Sequence, residues 1–76
     1  MGGASRLSGA FANIIKKHRI RQGLSQEALA ESAGIHHTYV SLLGRGRNRP
    51  TIEVAARIAE ALGVKLSALI EEAERE

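Results

Sequence analysis

Apolar residues recur at helical spacing along this chain, but glycine cuts the pattern at Gly23, at Gly34, in the stretch Gly44-Arg45-Gly46-Arg47-Asn48-Arg49-Pro50, and at Gly63. Glycine is costly inside a helix and favoured just past its C-terminus, so each interruption reads as a helix stop. The pieces between are short. From Ala10 a face of Phe11, Ile14, Ile15 and His18 runs at period 3.6 and ends near Gln22. Ser25 caps a second helix over residues 26–33, with Leu29, Ala30 and Ala33 inward. A third covers residues 37–43, with Val40 and Leu43 inward and His36 at its N-cap, a poor capping type. Thr51 caps a fourth, in which Ile52, Ala55, Ile58, Ala59 and Leu62 repeat until Gly63; Ser67 caps a fifth, residues 67–75, striped with Leu69, Ile70 and Ala73. No segment alternates for long, which leaves β folds no foothold. The expected architecture is all-α: a compact five-helix bundle forming a single domain over residues 10–76, preceded by a flexible Gly- and Ser-rich arm over residues 1–9.

At 76 residues, such a domain buries only about 60% of the surface its unfolded chain exposes. Its stability is therefore marginal, and pairing with a second copy would relieve it. The absence of Cys removes disulfides, thiolate zinc sites and cysteine catalysis together. With no Asp, no paired carboxylates and no Gly-rich phosphate loop before a helix, neither an enzyme nor a cofactor is expected. His36 and His37 are adjacent, but consecutive helical side chains diverge by about 100°, so a metal site is not expected either. No apolar run is long enough for a membrane span or a signal peptide, and a cytoplasmic location fits.

Charge is unevenly placed. Residues 1–50 carry eight basic residues against Glu27 and Glu31, a net +6, whereas residues 51–76 carry a net −3. The first two thirds are thereby suited to a polyanion, and the last third to packing or to a like partner. Within the basic part, two short helices are joined by the tight connection Ala33-Gly34-Ile35-His36, the spacing of a helix-turn-helix. Small residues at Ala30 and Ala33 let the two helices cross closely, so that the second can enter a DNA groove about 12 Å wide.

Ser25-Gln26-Glu27-x-Leu29-Ala30, Ala33-Gly34-Ile35, Tyr39-Val40-Ser41, Arg45-Gly46-x-Asn48-x-Pro50 and Ile58-Ala59-x-Ala61-Leu62-Gly63-Val64 resemble the Cro/C1-type helix-turn-helix family of phage repressors and bacterial regulators. His36-x-Thr38-Tyr39-Val40-Ser41 followed by Arg45-Gly46 is similar, more narrowly, to the controller proteins of restriction-modification systems. The resemblance implies a lambda repressor-like domain that binds double-stranded DNA as a homodimer on a near-palindromic operator, third helix in the major groove. It implies transcription control, by repression or through contact with RNA polymerase. An antitoxin or protein-docking module on the same fold is the alternative.

Once Val40 and Leu43 are buried, His37, Thr38, Ser41 and Leu42 lie on the outer side of the third helix and are the candidates for base readout. For Leu42, and similarly for Ser41, packing against the protein itself is a close alternative. None is a bidentate Arg or Gln, so several weak contacts and DNA shape would share the specificity. Gln26 begins the second helix, where the resemblance implies contact with a phosphate or the operator's outer base, phosphate being the candidate role; Arg45, Arg47, Asn48 and Arg49 form a basic loop beside the groove helix and are phosphate candidates. His36 and the hydroxyl of Tyr39 are further phosphate candidates, with capping and core packing as their alternatives. Leu66, Leu69, Ile70 and Ala73 are the candidate dimer surface, part of which must also complete the core. Two positions depart from the family pattern. A family Glu that pairs with an Arg at the place of Arg19 is replaced by Gly44, so Arg19 is expected to turn outward or to find carbonyls at the end of the third helix. His18 stands where an apolar residue is usual and is expected to be packed and hydrogen-bonded.

Overall fold

Five helices follow one another along the chain: α1 (Gly2–Arg21), α2 (Gln26–Ala33), α3 (His37–Gly44), α4 (Ile52–Leu62) and α5 (Leu66–Glu74). The computed structural model describes residues 2–44 and 49–76, with side chains from residue 6 onward. The expected stops share one device. Gly23, Gly34 and Gly63 adopt φ of 72°, 71° and 73°, the left-handed conformation that only glycine takes without strain. Past each one the chain bonds back: Leu24 N–H to the Arg19 carbonyl at 2.9 Å, Ile35 to Ala30 at 3.0 Å and Val64 to Ala59 at 3.0 Å. These bonds satisfy carbonyls that a helix end leaves open. The Ser25 and Thr51 hydroxyls accept from the N–H groups of Ala28 (3.0 Å) and Val54 (3.1 Å), capping α2 and α4 as expected.

Three local expectations are corrected. Residues 2–9, read as an arm, are the first turns of α1. The apolar face extends further back than the glycines suggest: Ala10 packs on the core, and Leu7 borders an apolar groove with Ile52 and Ile70. Helix α5 begins at Leu66 rather than Ser67; Lys65 occupies the N-cap and makes no side-chain cap bond. Ile52, read as part of the apolar repeat of α4, is 82% exposed, because the first residue of α4 lies at the open rim of the groove it shares with Leu7 and Ile70.

One core unites the helices. Leu29, Ile58 and Leu69, from α2, α4 and α5, are completely buried, and Phe11, Ile14 and Ile15 of α1 with Val40 and Leu43 of α3 close around them. Helix α1 lies chiefly along α5, while α2 is sandwiched by α3 and α4. The Gln22 amide donates to the Leu62 carbonyl at 2.8 Å and ties the end of α1 to the end of α4. His18 is buried as expected, and its Nε2 lies 3.1 Å from a Glu72 carboxylate oxygen, which ties α1 to α5. Lys17 and Glu76 add an exposed pair at 3.1 Å, worth little by itself.

Because Leu69 is 0% exposed, Leu69→Ala should cost about 3 kcal/mol of folding stability, as core leucine truncations do. Denaturant unfolding checks this; a loss under about 1 kcal/mol contradicts the packing described.

Candidate nucleic-acid interface

Helix α3 is fixed from beneath by Val40 and Leu43, 4% and 2% exposed. Residues on the opposite side must then face outward, and the structure separates them into two grades. His37 and Thr38, in the first turn, are exposed; Ser41 and Leu42, one turn later, are half-buried. The expected reading surface is therefore open at the N-terminal end of α3 and partly covered toward its C-terminal end. Ser41 borders a cleft shared with α1 and α2, which gives its packing alternative a physical basis.

The start of α3 bears out the N-cap position read for His36 and adds a detail that the sequence did not show. His36 does cap the helix: its Nδ1 accepts the Thr38 N–H at 3.1 Å. Imidazole is a rare cap, but an acceptor nitrogen held two residues before the open N–H does the work of a Ser or Asn oxygen. That bond requires the tautomer with Nδ1 unprotonated. The His36 and His37 rings also stack, with centroids 4.7 Å apart and 25° between planes, so the cap positions its neighbour. Tyr39 is half-buried against the core, and packing accounts for its ring.

Gln26 is half-buried at the start of α2, with its amide nitrogen 3.4 Å from where a Cβ on Gly44 would stand. Helix α2 and the end of α3 thus meet at this residue. Arg19 does find a carbonyl, but a different one from that expected: Nη1 donates to Leu24, at 2.8 Å, in the turn between α1 and α2. Arg49 and Arg57 are exposed. Arg45, Arg47 and Asn48 lie outside the described residues.

The proposed dimer residues divide. Leu69 and Ala73, 0% and 3% exposed, belong to the core and offer no surface, because α5 turns them onto α1 and α4. Leu66 and Ile70 are half-buried and line an apolar groove of about 320 Å³ with Leu7, Phe11, Pro50 and Ile52. The exposed Ile52 is the part of this groove that periodicity concealed, since a residue at helical spacing reads as core whether or not a neighbour covers it.

Residues 15–69 match the model of a helix-turn-helix family. The chain is 44% identical over 50 residues to an uncharacterised HTH-type transcriptional regulator of Methanothermobacter thermautotrophicus, covering 66% of this chain and 72% of the relative. It is 32% identical over 60 residues to the control protein C.SmaI of Serratia marcescens, covering 79% and 71%. The solved restriction-modification controller protein C.Esp1396I superposes with a TM-score of 0.83 at 29% identity, over 91% of this chain and 88% of that one.

His36→Ala should lower stability by about 1 kcal/mol in the absence of DNA, whereas His36→Ser should restore it. Thermal unfolding of the free protein checks this; equal stability of His36→Ala and the parent contradicts the cap.

Proposed function

The chain belongs to the helix-turn-helix family of transcriptional regulators, and from that premise we propose that it binds a near-palindromic operator as a homodimer. The observation that carries the reading is the exposed first turn of α3, where His37 and Thr38 stand clear of a helix whose other side is held by the core. These two residues read base edges, with Ser41 and Leu42 in a lesser part. Imidazole donates to or accepts from a purine edge, and threonine offers a hydroxyl or a methyl. Gln26 and Arg49, with Arg45, Arg47 and Asn48 of the basic loop, grip the phosphates and set the register.

A second copy docks on the groove of Leu7, Ile52, Leu66 and Ile70. A large side chain left 82% exposed on a 76-residue domain loses little by moving into a partner, and a small core gains from the added burial. The restriction-modification controllers among the similar proteins support control of such genes, by this protein alone or together with RNA polymerase. Operator placement decides between blocking and recruiting the polymerase.

Gel-shift titrations over a set of duplexes, repeated at several salt concentrations, test the reading. His37→Ala with Thr38→Ala should remove most of the preference among duplexes, about 1–3 kcal/mol per lost contact, and leave the salt-dependent background unchanged. If no duplex binds at concentrations on the order of micromolar in low salt, the docking-module or antitoxin alternative replaces this one. For the dimer, Ile52→Glu should keep the helical spectrum and the unfolding cooperativity but shift sedimentation to monomer. An unchanged dimer in that variant moves the interface elsewhere.

A further inference from the structure

At the exposed start of α3, the His36 and His37 rings stack with centroids 4.7 Å apart, and the Nδ1 of His36 accepts the Thr38 N–H at 3.1 Å. One side chain thus touches both residues proposed to read bases. Resting on that reading, we propose that His36 is a positioning residue that sets the sequence preference of α3 through His37 and Thr38, and that a proton on its Nδ1 withdraws the preference.

Two interactions do the positioning. The cap holds the backbone of Thr38 in the first turn, and the stack restricts the His37 ring, which in solvent alone would sample several rotamers. Both depend on charge. Nδ1 accepts only through its lone pair; once a proton from solvent occupies it, both ring nitrogens are donors and the Thr38 N–H faces another N–H. The cation would also lie at the positive end of the α3 dipole and against a second imidazole. The charged ring has a better place nearby. Glu27 and Glu31 of α2 line the same shallow cleft as His36 and His37, with Ala30 and Ile35 between them. Both carboxylates are exposed, and neither takes part in the ion pairs among the described residues. Helix α3 adds only Tyr39, half-buried against the core, to the titratable groups beside the pair. Neutral His36 therefore holds the helix end, and charged His36 is drawn toward α2. A direct phosphate contact by His36 predicts the opposite, since its protonation would tighten every duplex alike.

The test measures the affinity of the full chain for a duplex selected from a random pool and for a scrambled one, between about pH 8 and about pH 5, where imidazoles gain charge. The ratio of the two affinities should fall about tenfold toward acid, while the scrambled duplex binds no more weakly. His36→Asn, whose amide oxygen caps without titrating, should remove most of that fall. Any acid effect of the buried His18 is common to both proteins. In the free protein, NMR should show the Thr38 amide moving in step with the His36 ring as pH falls. A ratio constant with pH, an equal fall in His36→Asn, which places the effect in His37 alone, or a Thr38 amide indifferent to His36 overturns the inference and leaves the regulator reading standing. Tightening of both duplexes in acid that is lost in His36→Asn overturns it in favour of a phosphate contact. No preference at any pH overturns the reading of α3 and the inference with it.

Discussion

The proposed recognition surface depends on the burial of Leu29 and Ile58 in one core. Helices α2 and α3 have eight residues each, well under the roughly 12–15 at which an isolated helix becomes even marginal in water. Neither has reason to form on its own. Leu29 anchors α2 on α4 through Ile58, Val40 and Leu43 anchor α3 on the same core, and the αL turn at Gly34 fixes the angle between the pair. The open first turn of α3 is thus a consequence of packing beneath it, where Ile35 and Tyr39 meet the core, and the His36 cap satisfies the Thr38 N–H at its exposed end.

The uneven charge acquires a structural meaning in the same frame. The basic and acidic parts of the chain meet where α1 lies along α5, and there His18 faces Glu72 while Lys17 faces Glu76. Part of the acidic tail is therefore spent on the body of the protein. Lys16 and Arg19 instead line the cleft between α1, α2 and α3, where Arg19 donates to the Leu24 carbonyl. The net +6 of residues 1–50 belongs to the part of the chain that holds the helix pair, which the total of +3 conceals.

Helices α2 and α4 were legible to the residue, because their ends depend on local chemistry: a hydroxyl cap at Ser25 or Thr51 and a glycine at Gly34 or Gly63. The beginning of α1 was not, since Gly2, Gly3 and Gly9 disfavour helix locally, whereas the packing of Leu7 and Ala10 that accompanies it involves α4 and α5, distant in sequence. The same distinction governs the side chains. Periodicity marked Ile52, Leu69 and Ala73 alike as apolar, but only the arrangement of neighbouring helices decides that Leu69 and Ala73 are covered and Ile52 is not. That Arg19 needed a substitute for a carboxylate could be read from Gly44; which carbonyl it takes is set by the path of the turn after Gly23.

The central claim is that α3 reads sequence and that two copies do so together. Selecting bound duplexes from a random pool tests it most directly. The account predicts two inverted copies of one short motif, their centres about 34 Å, or one turn of B-DNA, apart. A recovered pool with no enriched sequence, or a single asymmetric site occupied by one protein molecule, would contradict it.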